Sequence, residues 1–295
     1  MQRAVLSQNN DSSGGGKGGR RAMKIGFIGT GNMGQAILRG YLKAWPDRAA
    51  DIYAYNHHVE KAEALAAELG IKACRSAEEL AEKAEMILLA VKPYQFGEVL
   101  PQVAEGVKQA GEVADKVIVS IAAGVPMEVI EGFFAEGTKV VRIMPNTPAM
   151  VGEGMASVSP NEYTDEASLN VIMELFSAVG KASVVEERLI DAVGAISGSS
   201  PAYVYMFIEA LADGAVAEGM KRQQAYEFAA QAVLGSAKMV LETGLHPGEL
   251  KDQVCSPGGS TIEAVEVLEQ EGMRASVIKA MRAAAAKTRS MAKTK

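Results

Sequence analysis

From Met23 onward, short apolar runs alternate with longer stretches in which apolar residues return every three or four positions. The short runs lie at residues 24–28, 51–55, 86–91, 117–121 and 139–143. They predict strands, since a strand buried on both faces is apolar along its whole length. The stretches between them, 33–44, 58–69, 77–83, 94–107 and 127–134, predict helices. A strand at 156–159, a helix at 165–178 and a strand at 182–185 complete the series. This β-α alternation predicts an α/β fold: a Rossmann-like, mostly parallel sheet with helices on both faces.

After Glu187 the strand pattern stops. Helices are expected at 188–197, 201–218, 223–243, 247–255 and 262–270, and from 273 to about 288. The 201–218 stretch is apolar on more than one face: Val204, Phe207, Ile208, Leu211 and Ala215 form one stripe, while Tyr205, Met206, Ala210, Ala212 and Val216 cover others. A helix apolar around most of its circumference needs more than one neighbour. An all-helical dimerisation domain explains this better than a compact monomeric bundle does. The expected organisation is a disordered, Ser/Gly-rich tail at 1–22, a dinucleotide-binding domain at 23–187 and a helical dimerisation and substrate domain at 188–295.

Composition narrows the partners. The net charge is −6, and the tail, with Arg3, Lys17, Arg20 and Arg21 against Asp11, leaves the remainder at −9. Such a surface argues against nucleic acid. No apolar run reaches the length of a membrane helix, and the N-terminus lacks a signal-peptide core. The 2 cysteines, Cys74 and Cys255, and the 3 histidines suit neither a metal site nor a disulfide framework. A reducing, cytoplasmic setting is expected.

Two loops carry the chemistry. Gly29-Thr30-Gly31-Asn32-Met33-Gly34 is a G-x-G-x-x-G sequence between a predicted strand and a predicted helix. There the glycines serve a tight turn, close approach to a pyrophosphate and helix–strand packing. The second strand ends at Asn56, without the acid that usually takes an NAD ribose hydroxyl, and Lys61, His57 and His58 lie nearby. Asn56 can donate to a 2′-phosphate, so NADPH is the expected cofactor, with NADH a weaker alternative. Ala90-Val91-Lys92-Pro93 and Ala122-Ala123-Gly124 end later strands and are expected to border the cofactor, as is Asn146, whose amide lies near the expected nicotinamide position. Lys92 reads equally well as a solvated lysine at a strand end.

The second loop is Ser256-Pro257-Gly258-Gly259-Ser260-Thr261, running into a helix. A glycine-rich helix start suits an anion. Ser260 with Glu263 also fits a capping box, which needs no ligand.

Taken together, Gly26 to Gly34, Ala90-Val91-Lys92-Pro93, Ser120 to Gly124, Met144 to Ala149, Ser197 to Tyr203, His246-Pro247-Gly248, Leu250-Lys251-Asp252 and Ser256 to Thr261 resemble pyrroline-5-carboxylate reductases, in that family's order and over residues 23–290. The resemblance implies NAD(P)H-dependent reduction of the C=N bond of 1-pyrroline-5-carboxylate to L-proline, with a homodimer that assembles further, commonly into a decamer. It implies that Ser256, Gly258, Gly259, Ser260 and Thr261 hold the substrate carboxylate, chiefly through backbone N–H groups, and that the Thr261 hydroxyl meets the ring nitrogen. The family often has glycine where Ser200 stands, and threonine or alanine where Ser260 stands. A β-hydroxyacid dehydrogenase would need a lysine in the 201–218 helix, which has none. A non-catalytic NADP sensor would have no use for the second loop.

Overall fold

The fold is described from a computed structural model, over residues 23–111 and 116–292. The tail expected at 1–22 lies outside them. Eight strands form one sheet in the order β3-β2-β1-β4-β5-β6-β7-β8. They are β1 (Ile25–Ile28), β2 (Ile52–Tyr55), β3 (Lys72–Ala73), β4 (Met86–Leu89), β5 (Val117–Ser120), β6 (Lys139–Met144), β7 (Gly154–Pro160) and β8 (Gly180–Val184). All neighbours run parallel except β6 and β7. The reversal follows from the short connection through the 3-10 turn Thr147–Val151, too short for the crossover that a parallel pair requires.

The continuous apolar runs have the expected cause. Strands β1, β4 and β5 are buried at every residue, because helices cover both faces. One face packs Phe27, Leu88, Val119 and Ile143 beneath α1 (Asn32–Ala44), α2 (Val59–Leu69) and α6 (Glu166–Ser177). The other packs Ile28, Ile87, Leu89 and Ile118 beneath α3 (Ala77–Lys83), α4 (Phe96–Gln109) and α5 (Met127–Glu131). Strand β3 has only 2 residues, both exposed, and so gave no apolar run to read.

Beyond β8 the chain is helical. A 3-10 turn, Glu187–Leu189, leads into α7 (Ile190–Val193), a π-helical segment at Gly194–Ser199, and α8 (Ser200–Ala217). The break expected between residues 197 and 201 is therefore absent. Pro201 stands in the first turn of α8, where a missing N–H is tolerated, and the wider π turn carries the chain through it. Next come α9 (Arg222–Thr243), α10 (Pro247–Val254), α11 (Ser260–Gln270) and α12 (Met273–Ala292). Helices α8 and α9 form a hairpin, and α12 returns to pack on the π segment and α7.

This half has almost no core of its own. Among the described residues, every buried apolar residue after Ile190 is an alanine: Ala195, Ala212, Ala225, Ala229 and Ala285. Its large apolar side chains stand open instead, with Tyr205 60%, Met206 67%, Phe228 61% and Ile278 58% exposed.

Candidate functional site

Strands β2 and β4 flank β1, and the chain reverses its direction of travel across the sheet at β1/β4. A crevice opens at such a switch point, at the carboxyl ends of the strands. The Gly29–Gly34 loop lies there by hydrogen bonding: Gly29 N–H donates to Tyr55 O at 2.8 Å, and Ala90 N–H to Ile28 O at 2.8 Å. The three glycines are there for different reasons. Gly29 has φ +96°, and a Cβ on it would lie 2.7 Å from Ala90 O. A Cβ on Gly34 would lie 2.6 Å from Gly29 O, whereas one on Gly31 would meet nothing within 4 Å. Gly31 therefore faces open space at the start of α1. That helix has no side-chain cap and no acid in its first turn, so its leading N–H groups are free for an anion. A dinucleotide pyrophosphate fits this loop.

Thr30 is buried, and its Oγ1 accepts from Asn56 Nδ2 at 2.7 Å. Asn56 Oδ1 in turn accepts from His58 N–H at 3.0 Å. Asn56 thus ties the end of β2 to the glycine loop, and its second amide hydrogen remains for a ligand. A cleft of about 180 Å³ is lined by Gly29, Thr30, Gly31, Asn56, His57, Ala90, Val91 and Lys92, and Glu98 of α4 adds a carboxylate to it. Asn32 and Met33 begin α1. Pro93 opens a 3-10 turn that Gln95 closes by accepting from Lys92 N–H at 3.1 Å. Ala122 is buried after β5, its N–H donating to Ser120 Oγ at 3.3 Å, while Ala123 is exposed and Gly124 turns with φ +73°.

Asn146 is buried at the end of β6. Its Oδ1 accepts from Met155 N–H at 2.8 Å, and its Nδ2 donates to Ser197 O in the π segment at 3.0 Å. It lines a second cavity, of about 350 Å³, with Pro148, Met155, Ser197, Ser200 and Tyr205.

The loop at 256–261 is a tight turn feeding a helix. Ser256 O accepts from Gly259 N–H at 3.0 Å, with Pro257 and Gly258 between them and φ +65° at Gly258. That residue pair and positive φ belong to a type II turn. A Cβ on Gly259 would lie 2.2 Å from Ser256 Oγ, so any other residue there would displace that hydroxyl. The capping box expected from Ser260 and Glu263 does not form. The N-cap of α11 is Gly259, with no side-chain cap bond, and Ser260 is already helical. The glycine turn brings the helix in one residue early, which leaves the first N–H groups of α11 without a side-chain partner. Within the single chain this loop lines neither cleft above.

Sequence reasoning missed an ion-pair cluster around a buried arginine. Arg142 of β6, 6% exposed, pairs with Glu187 at 3.0 Å and with Asp191 of α7 at 3.7 Å. Glu187 also accepts from Met127 N–H at 2.7 Å, at the start of α5. The signal was an arginine inside the otherwise apolar run of β6. Among the described residues no helix is long and apolar enough to cross a membrane, and no group of three or more His, Cys, Asp or Glu could hold a metal. Burial pushes the Cys74 thiol up to about 11, which keeps it protonated and unreactive.

Comparison with known proteins supplies the family. Residues 187–291 match the family model for pyrroline-5-carboxylate reductase dimerisation, and residues 24–124 match that for coenzyme F420-dependent NADP oxidoreductases. The chain is 49% identical over 271 residues to the pyrroline-5-carboxylate reductase of Escherichia coli, covering 92% of this chain and 99% of that one. It is 43% identical to that of Methanosarcina acetivorans over 270 residues, covering 92% and 98%. The structure of a pyrroline-5-carboxylate reductase from Coxiella burnetii superposes with a TM-score of 0.84 at 33% identity, covering 91% of this chain and 98% of that one. The NADP-bound enzyme of Plasmodium falciparum gives 0.80 at 31%, covering 92% and 98%. This protein is an oxidoreductase with a nicotinamide dinucleotide fold and a dimerisation region, and the chain belongs to the pyrroline-5-carboxylate reductase family.

Proposed function

We propose that this protein reduces the C=N bond of 1-pyrroline-5-carboxylate to L-proline, with NADPH as the reductant. The observation that carries this reading is the match to pyrroline-5-carboxylate reductases along nearly the whole length of both chains. The two loops give it a chemical basis. Bound NADPH supplies one hydride to the imine carbon, and one proton is needed on the ring nitrogen. The chain's own part is to hold and orient. Gly29, Thr30, Gly31, Asn32, Met33 and Gly34 hold the pyrophosphate, and Ala90, Val91, Lys92, Pro93, Ala122, Ala123 and Gly124 border the rest of the dinucleotide, while Asn146, its amide engaged by Met155 and Ser197, stands behind the nicotinamide edge. Ser256, Gly258, Gly259 and Ser260 present backbone N–H groups to the substrate carboxylate at the uncapped start of α11. Thr261, in its first turn, places a hydroxyl at the ring nitrogen.

The preference for NADPH over NADH rests on Asn56, His57 and Lys92, which line one cleft at the end of β2. A relative solved with NADP bound supports it. Residues 23–187 form the cofactor unit and 188–295 the dimerisation unit of a homodimer that assembles further, with a decamer as the expected size and the cytoplasm as the setting. A dimer brings the 256–261 loop of one copy to the cofactor cleft of the other.

The test is NADPH oxidation on adding 1-pyrroline-5-carboxylate. Folded protein that binds NADPH and shows no turnover would sink the reading. Thr261→Ala is expected to lower turnover by roughly a hundredfold, as loss of an oriented donor at the reacting atom does, and to leave NADPH affinity unchanged. Unchanged turnover would reduce the loop to a helix start. A clear preference for NADH would overturn the role of Asn56.

A further inference from the structure

We propose that Asn146 is a positioning residue for this reaction, acting through the π turn at Gly194–Ser199 rather than by contact with substrate. This rests on the reading of the sheet's carboxyl edge as the nicotinamide site. A π step from Ile196 and an α step from Ser197 both end at residue 201, and proline has no N–H to donate. The part-buried Ser197 carbonyl therefore needs a donor from elsewhere, and the exposed Ile196 carbonyl takes one too. Each receives a side chain: Ser200 Oγ donates to Ile196 O, and Asn146 Nδ2 donates to Ser197 O at 3.0 Å. The chain thus closes both gaps with its own side chains.

The two donors differ in what they connect. Ser200 repairs its own helix. Asn146 lies at the end of β6, and its other end accepts from Met155 N–H at the start of β7. One amide thus fastens two strand ends to the first turns of the helical half. The packing below it is specific as well: Met144 Cε lies 3.0 Å from where a Cβ on Gly198 would stand, and 3.4 Å from one on Gly194. A Cβ on Gly198 would crowd the Met144 methyl, so glycine there lets the π turn lie close to β6. The wide turn, its missing donor and the amide that replaces it all lie on the wall of the cavity holding Ser197, Pro201 and Tyr205. Asn146 therefore sets how the helices that form the substrate side stand against the nicotinamide edge.

The test compares Asn146→Asp, Ser200→Ala and the double variant. Asn146→Asp keeps the size and the acceptor for Met155 N–H while removing the donor to Ser197 O. Turnover is expected to fall roughly ten- to a hundredfold, the cost of a misplacement on the order of 1 Å, with NADPH affinity in the absence of substrate unchanged. Hydrogen exchange in the 194–200 peptide is expected to quicken while that of β1 and β4 stays as in the wild type. Because both side chains act on one turn, the double variant should lose less turnover than the product of the single losses. Three results would overturn the proposal: unchanged turnover, NADPH affinity falling in step with turnover (direct cofactor contact), or losses that multiply. If Asn146→Asp fails to fold, Asn146→Ala takes its place in the same cycle. Wild-type protein that shows no turnover at all would fail the functional reading instead, and the exchange measurement would still judge the clamp.

Discussion

The sheet half and the helical half of this chain solve the same problem in opposite ways. The sheet half buries Phe27, Leu88 and Phe176 to 2% exposure or less, against helices from its own sequence. The helical half has comparable apolar content but keeps only alanines inside, leaving Phe228, Met206 and Ile278 open. Apolar area of that kind stabilises a fold only when it leaves water. The sheet half is complete as one chain, and the helical half is complete only as two. The candidate site shares the difference: the glycine loop at 29–34 is assembled within the chain, whereas the loop at 256–261 lines neither cleft of the single chain.

The sharpest way to break that contrast is a charge on the open face. Val265, Leu268, Val277 and Ile278 line a groove of about 520 Å³ between α11 and α12. If the chain were self-sufficient, Ile278→Glu would be an ordinary surface change, worth within about 0.5 kcal/mol. If a partner covers it, the substitution buries an unpaired charge, which costs about 3–5 kcal/mol, or roughly 10²–10⁴ in the dimer's dissociation constant. Sedimentation should show monomers and turnover should collapse, while NADPH binding survives in the sheet half. An intact, active dimer would refute the contrast.

The second test works on the other side. Leu88 lies fully buried in the central strand β4. Leu88→Ala is expected to cost about 2–5 kcal/mol through lost burial and the cavity left behind. Its thermal shift should not vary with protein concentration, whereas that of Phe228→Ala should. Equal concentration dependence in both variants would mean that the halves are stabilised alike.

What could be read in advance divides along the same line. The strands were legible because burial on both faces makes them apolar throughout, as in β1 and β4. The glycine loop was legible because two steric demands, at Gly29 and Gly34, flank an open face at Gly31 at fixed spacing. The helices after Glu187 were legible as helices and their excess apolar faces as interface, but their joins were not. Pro201 looked like a break, and a tertiary donor from Asn146 with a local one from Ser200 shows why it is not one. Ser260 looked like a cap, and the turn at Pro257-Gly258 moves the helix start to Gly259. Strand β3, with 2 exposed residues, left nothing to read.

A smaller effect is expected at the polar fastenings of the sheet half. The Lys139 ammonium, 2.5 Å away, and the Ser168 N–H hold the Asp165 carboxyl down at about 2, from an ordinary 3.8. A depressed carboxyl contributes stability that is present above its unfolded value and lost as pH falls through the folded one. The window is therefore from about pH 4 down to about pH 2. The side chain is 49% exposed, so solvent screening holds the contribution to about 1 kcal/mol or less. Asp165→Asn should flatten stability against pH in that window. Asp213→Asn, at the exposed pair with Arg222 in the helical half, should cost less still. A larger loss at Asp213 would reverse the ranking of the two halves.

The smallest effect concerns a group that the sheet half leaves unsatisfied. Ser157 of β7 is 1% exposed, and its Oγ has no hydrogen-bond partner. It stands opposite Met144 in the antiparallel β6–β7 pair, while its neighbours Ala156 and Val158 point into the core on the other face. An unpartnered buried hydroxyl carries a desolvation cost of about 1–3 kcal/mol, so removing it recovers part of that. Ser157→Ala deletes one oxygen and opens little space, and the expected result is a neutral or slightly raised unfolding midpoint with unchanged turnover. A clear destabilisation would mean that the hydroxyl has a partner supplied by solvent or by a second copy. The sheet half would then be less complete as one chain than its apolar core suggests.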